Sequence, residues 1–277
     1  MDFDYRRPAR LAEAVAWLRE DPEAKLLAGG QSLLAAMKLR LSEPSMLIDL
    51  QDLPELLGVR EQGGGLWIGA MCSHASVATS PIVQRLAPML AQLAQGIGDQ
   101  QIRQRGTLGG SIANADPAAC WPAGVMALNG TVFTDRRKIA ADEFFTGLFT
   151  TALEADEVVL GVQFPCVQQA HYLKFEQPAS RFALTGVAVA QLGSQVRVAV
   201  TGLGSGIYRW EAAERALSLR LAPEALRDCA LDADIAMGDI HASADYRAHL
   251  AAVLTRRAVQ HILKSSPSSP SSRTSSV

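Results

Sequence analysis

The sequence predicts an α+β protein built as a larger N-terminal unit followed by a smaller α+β unit of strands and helices. Three observations carry this. Helical and strand periodicities alternate through residues 1–50, four apolar strand patterns crowd the stretch from Val158 to Thr201, and the pattern from Trp210 onward is mostly helical.

Taken in order, Pro8 to Arg19 reads as an amphipathic helix, because Leu11, Val15 and Leu18 recur at helical spacing and Asp21-Pro22 ends the run. Lys25 to Ala28 is a short strand entering Gly29-Gly30, Leu33 to Leu39 is helical, and Met46 to Leu50 is a strand. After Gly63-Gly64-Gly65 comes a strand over Leu66 to Met71, then an apolar helix over Pro81 to Gln95 with Ser80 as its cap. Ile102 to Asp116, rich in Gly, Ser, Asn and Thr, reads as a loop, and Pro117 opens a helix to about Leu128. Strands are expected at Val158 to Phe164, Tyr172 to Phe175, Val187 to Leu192 and Val196 to Thr201. A last helix over Ala244 to Leu263 would bury Leu250, Val253, Leu254 and Ile262 on one face. Residues 265–277, mostly Ser and Pro, cannot bury enough apolar surface to offset chain entropy and are expected to be disordered. The boundary between the units is expected near Pro165-Cys166, giving 1–165 (itself divided near residue 55) and 166–264.

The 277 residues, 48% hydrophobic and 19% charged, suffice for two cores. A formal charge of −2 gives no field to gather nucleic acid or anionic lipid. No leader pattern or spanning apolar run is seen, which predicts a cytoplasmic protein. Cys72, Cys120, Cys166 and Cys229 stand far apart, without the close pairs typical of iron–sulfur or zinc sites, so no metal is expected in this chain. Cys72, Cys166 and Cys229 are expected as small core residues. The five histidines are scattered and read as surface or capping residues.

Two glycine segments carry the chemistry. Ala28-Gly29-Gly30-Gln31-Ser32-Leu33 lies between a strand and a helix, where backbone N–H groups can turn inward on a diphosphate and Ser32 adds a hydroxyl. Gly-Gly at such a place is more often only a tight turn, but a second small-residue segment, Arg103 to Pro117, has hydroxyls at Thr107 and Ser111. Together they could grip one dinucleotide from two sides. Gly202-Leu203-Gly204-Ser205-Gly206-Ile207 lacks the last glycine of GxGxxG and follows strands, so it reads as a strand-end turn. Motifs for phosphate-loop ATPases, zinc proteases and α/β-hydrolases are not found.

With these residues in place, the sequence resembles the FAD-binding medium subunits of molybdenum hydroxylases, a family that includes carbon monoxide dehydrogenase and bacterial xanthine dehydrogenases. The resemblance runs through Phe3 to Pro8, Ala28 to Ser32, Ile68-Gly69-Ala70 before His74, Thr107 to Ser111, Thr150 to Leu153 before Glu157, and Asp245-Tyr246-Arg247 through Arg256-Arg257. It implies a two-part FAD-binding domain of the vanillyl-alcohol-oxidase/PCMH type followed by a smaller α+β domain. It assigns Ala28, Gly29, Gly30, Gln31, Ser32, Leu33, Thr107, Gly109, Gly110 and Ser111 to the FAD diphosphate and its neighbours, and places Asn114 and Asp116 on the same segment. Lys174 falls near the flavin and Phe182 where an aromatic ring can cover it; an exposed strand lysine and a core phenylalanine are the plain alternatives. Two positions depart from the family: Cys120 replaces an acidic residue that accepts hydrogen bonds from cofactor hydroxyls, and Arg181 replaces an aspartate.

The resemblance further implies an electron-transfer role, with 2Fe-2S clusters in a small iron–sulfur partner subunit and the molybdopterin cofactor in a large partner subunit, assembled as a dimer of heterotrimers. No cysteine-bearing insertion like that of 4-hydroxybenzoyl-CoA reductase is present. Two rival readings are a self-sufficient flavin oxidoreductase, which would need its own acid or base, and an assembly subunit that has lost FAD.

Overall fold

A computed structural model describes residues 2–167, 169–204 and 206–265. The stretch expected to be disordered lies outside them except for Ser265, which ends the last helix. The first part comprises β1 (Asp4–Arg6), α1 (Leu11–Glu20), β2 (Lys25–Leu27), α2 (Leu33–Lys38) and β3 (Met46–Asp49). All pairing is parallel in the order β1-β3-β2, and the two helices serve as the crossovers that parallel strands require. Every residue of the central β3 is buried, as a strand covered on both faces should be.

A hairpin follows, β4 (Val59–Gln62) and β5 (Gly65–Gly69), turned by Gly63 and Gly64 at φ of +58° and +74°. Next come α3 (His74–Thr79), α4 (Pro81–Leu86) and α5 (Pro88–Gln95). Ser80 caps as expected, accepting from Val83 N–H at 3.4 Å. The single helix expected over Pro81 to Gln95 is two, because Pro88 cannot donate and Ala87 leaves the helical region at φ −149°, ψ 64°. The segment expected as a loop is also helical. It forms α6 (Gln100–Arg105), capped by Asp99, and α7 (Leu108–Asn114), capped by Thr107. The next helix, α8 (Cys120–Ala127), starts later than expected, because Asp116 Oδ1 accepts from Ala118 N–H at 2.8 Å and holds a turn around Pro117.

The chain then runs through β6 (Thr131–Thr134), β7 (Lys138–Ala140), α9 (Ala141–Phe144), β8 (Phe145–Gly147), β9 (Thr150–Thr151) and β10 (Val159–Phe164). An antiparallel sheet of order β4-β5-β10-β6-β7 results. Glu157, just before β10, is buried and accepts from Arg137 Nε at 2.9 Å, Arg137 Nη2 at 2.8 Å, Thr134 Oγ1 at 2.7 Å and Glu154 N–H at 3.0 Å. The Arg137 hydrogen bonds hold its pKa down, from the ordinary 4.5 to about 2. A depressed carboxylate contributes stability above pH 4.5 that is lost as pH falls toward 2. Thermal unfolding followed by circular dichroism should therefore show Glu157→Gln less stable than wild type at pH 7, with the gap closing below pH 4.5; a gap constant with pH would contradict this.

The last part is a sheet of β11 (Gln169–Glu176), β12 (Ala183–Leu192), β13 (Gln195–Thr201) and β14 (Tyr208–Arg209), antiparallel and in chain order, backed by α10 (Glu211–Leu219) and α11 (Ala244–Ser265). Alternation separates its faces. Val187, Val189, Val198 and Val200 face α10 and α11, whereas Ala188, Ala190 and Ala199 join the core around α8. The small residues let α8, apolar on every side, approach closely. Thr201 Oγ1 donates to Pro117 O (2.7 Å) and Ala119 O (2.8 Å), and Gly202 N–H to Pro117 O (2.7 Å), so the end of β13 grips the turn before α8. On α11, Leu250, Leu254 and Ile262 are buried as expected, Val253 is only half-buried, and Arg247 is buried while donating to Leu184 O and Gly202 O. Of the cysteines expected in the core, Cys72 is buried and Cys229 half-buried, but Cys166 is exposed on the connector after Pro165.

Candidate functional site

The two glycine segments meet. Gly29 packs so closely on the backbone at the end of α6 that a Cβ there would lie 2.1 Å from Arg105 O, and a Cβ on Gly110 would lie 3.5 Å from the Ala28 Cβ. Gly30 sits at φ +73°, a left-handed conformation that a side chain would strain.

Their backbones play different parts. Among the described residues, no hydrogen bond inside the chain takes up the N–H groups of Gly29, Gly30, Gln31 or Ser32. In the second segment these groups are committed: Leu108 N–H donates to Cys72 O, Gly109 N–H to Ala70 O, Gly110 N–H to Thr107 Oγ1 and Ser111 N–H to Thr107 O. The donors facing an anion thus come from the first segment, while the second is a stiff wall. That wall offers side chains: the Ser111 hydroxyl and the Asn114 amide make no hydrogen bond among the described residues, as is true of the hydroxyl of the exposed Ser32. Asp116, half-buried, has its pKa raised by burial despite the Ala118 N–H bond. Gln31 is exposed and Leu33 half-buried at the start of α2.

The second segment is propped from below by residues that sequence reasoning did not assign. Gly109 is wedged on β5's end, where a Cβ would come within 2.6 Å of the Ala70 Cβ. His74, expected at the surface, is buried: its N–H donates to Gly106 O at 2.9 Å, and its Nδ1 accepts from Trp121 Nε1 at 3.0 Å. Burial first, and Arg103 second, push its pKa down to about 4, so the imidazole is neutral at pH 7 and carries its proton on Nε2. A lone histidine has no sequence signal for such a role; the only hint was its place after Ile68-Gly69-Ala70.

The remaining predicted residues lie on α8 and the last sheet. Cys120 is buried in the core beside the Tyr172 hydroxyl, and burial pushes its thiol pKa up. Lys174 is not the exposed strand lysine of the plain alternative: its side chain is 9% exposed, and Nζ donates to Gly96 O at 2.7 Å and Arg181 O at 2.6 Å. Phe182 is not a core residue either. It is 47% exposed at the end of the β11–β12 hairpin, whose next residue, Ala183, donates to Ala118 O in the turn after α7. That contact ties the base of the hairpin to the turn that follows the second segment.

Unsatisfied N–H groups on a Gly-Gly turn, with hydroxyl and amide side chains opposite, suit a diphosphate and its neighbouring hydroxyls. Comparison with known proteins agrees. Residues 1–167 match the FAD binding domain in molybdopterin dehydrogenase, and residues 170–262 match the CO dehydrogenase flavoprotein C-terminal domain. The chain is 38% identical to the nicotine 6-hydroxylase medium subunit of Paenarthrobacter nicotinovorans, over 92% of this chain and 95% of that one. It is likewise 38% identical to the carbon monoxide dehydrogenase medium chain of Hydrogenophaga pseudoflava, over 93% and 96%. The solved structure of that dehydrogenase lacking the Mo-pyranopterin moiety superposes with a TM-score of 0.86 at 35% identity, covering 95% of this chain and 98% of the other.

Proposed function

The chain belongs to the FAD-binding medium subunits of the molybdenum hydroxylases, and from this premise we propose how its residues serve electron transfer. Ala28 to Leu33 hold the FAD diphosphate through the N–H groups of Gly29 to Ser32. Thr107, Gly109 and Gly110 form the facing wall, from which Ser111, Asn114 and Asp116 reach the adjoining groups. Phe182 covers the flavin end. When bound, FAD takes electrons singly or in pairs and so links one-electron carriers to a two-electron acceptor. The single observation that carries this reading is the unpaired N–H row on Gly29 to Ser32, pressed against the second glycine segment.

The relatives are named as medium subunits, and we assign this chain the same place: beside a small iron–sulfur subunit that passes electrons in and a large molybdopterin subunit that oxidises the substrate, within a dimer of heterotrimers. We place the division between the two units at the connector between β10 and β11, near Pro165-Cys166, between the sheet that contains β10 and the last sheet. Among the described residues no helix is long and apolar enough to cross a membrane, and we place the assembly in the cytoplasm. The purified chain should carry or take up about one FAD, as expected of a single diphosphate cradle. Titration followed by flavin absorbance checks this; a chain that takes up none would favour an assembly subunit that has lost its cofactor.

A further inference from the structure

The ammonium of Lys174 has three protons to donate. Gly96 O at 2.7 Å and Arg181 O at 2.6 Å take up two of them, and the Glu176 carboxylate stands as an ion-pair partner at 3.5 Å. Most of its donor capacity is thus spent inside the chain, although the resemblance places Lys174 near the flavin. Two of its contacts tie distant parts together. Gly96 ends α5, while Arg181 belongs to the β11–β12 hairpin that carries Phe182.

Arg181 itself sits at φ +60°, an unfavourable conformation for a residue with a side chain, and needs outside support. Within the hairpin, Gln177 Oε1 accepts from Ala179 N–H (2.6 Å) and Ser180 N–H (3.0 Å), and Arg181 N–H donates to Gln177 O (2.8 Å). The loop is therefore a rigid knot, and Lys174 is the bond from that knot to α5. A second cation holds the loop just past that helix: Arg103 Nη1 donates to Ile97 O at 3.1 Å and Gly98 O at 2.9 Å. Arg103 lies on α6, which leads directly into Gly106 and the second glycine segment. Carbonyls at a helix C-terminus lack partners inside the helix, and cations there also offset its negative end. One anchor thus fixes two walls of the candidate site.

We propose that Lys174 is a positioning residue: by clamping Arg181 O to the end of α5 it sets the Phe182 hairpin against the flavin end of the site, while Arg103 sets the glycine wall from the same anchor. The inference rests on the FAD reading above and is tested so that the two fail differently. Dissociation constants for FAD and for ADP, which occupies only the diphosphate end, are measured on the full chain. Lys174→Met should weaken FAD by roughly tenfold, the size expected when one charge-assisted clamp is lost, and leave ADP within about twofold. It should also alter the visible absorbance fine structure of bound flavin. Lys174→Arg, which can still donate to both carbonyls, should restore both signals. Arg103→Met should instead weaken FAD and ADP together. If Lys174→Met does not accumulate folded, Lys174→Gln, shorter and uncharged, is held to the same expectations. Parallel loss of FAD and ADP in the Lys174 variant, no loss of either, or no recovery in Lys174→Arg would overturn the proposal. A wild-type chain that binds ADP but not FAD would defeat the flavin reading itself, and this inference with it.

Discussion

Gly29→Val should take up no measurable FAD while keeping its far-ultraviolet circular dichroism. The reason is a backbone-to-backbone contact: any Cβ at residue 29 would lie 2.1 Å from Arg105 O and 2.7 Å from Gly106 Cα, neither of which belongs to a movable side chain. The first glycine segment must then draw back from the second, and its row of free N–H groups leaves the wall opposite. Loss of several charge-assisted hydrogen bonds to a diphosphate, each about 1.5–3 kcal/mol, puts affinity below any useful concentration. The other glycines rank below it. On Gly110 a Cβ would come within 2.9 Å of Thr107 Oγ1, disturbing the cap of α7, whereas on Gly30 it would meet the side chain of Leu34 at 2.8 Å, which can move. At Gly30 the main cost is left-handed strain, about 1–2 kcal/mol. Fluorescence titration of the three alanine or valine variants checks the ranking. Full flavin occupancy in Gly29→Val would show that the two segments do not form one site.

The motif residues of the proposed site stood out because two glycine segments with hydroxyls occur in one chain, where a lone Gly-Gly pair is more often only a tight turn. Their division of labour was not. Nothing local tells that Gly109 and Gly110 spend their N–H groups on Ala70 and Thr107 while Gly29 to Ser32 keep theirs, since that depends on a strand end far away in sequence. The same cause hid α7. Its Leu-Gly-Gly-Ser-Ile-Ala-Asn composition has poor helix propensity, and the helix holds because Thr107 caps it and Gly109 fits against β5 where a larger residue could not. Similarly, β1 went unpredicted because its three residues pair only with β3, long after them in the chain. The strand β4 reads Val-Arg-Glu-Gln and lies at a sheet edge, so it has no apolar alternation to announce it. By contrast, β3, β10 and β13 follow their hydrophobic period closely and their expected ends fall within a residue of the observed ones, whereas α1 starts at Leu11 rather than Pro8 and β12 already at Ala183 rather than Val187.

The largest expected effect concerns where the electrons come from. The features that carry chemistry in this chain concern holding a dinucleotide; its cysteines are dispersed, with Cys72 and Cys120 buried, Cys166 exposed and Cys229 between. Among the described residues no three His, Cys, Asp or Glu side chains come together as metal ligands. Its buried histidine, His74, is held neutral by burial, and its ring Nδ1 accepts from Trp121 Nε1, which fits a structural role better than that of an acid or base. As a medium subunit of this family, the chain works with partner chains that supply its reducing equivalents. The decisive measurement is anaerobic mixing of the FAD-loaded chain with carbon monoxide, purines, aldehydes and N-heterocycles, followed by flavin absorbance, first alone and then after assembly with the iron–sulfur and molybdopterin subunits. The lone chain should keep an unchanged oxidised spectrum with every substrate, and one substrate class should bleach it once the partners are present. Bleaching of the lone chain at catalytic rates would contradict this and identify a self-sufficient flavin oxidoreductase.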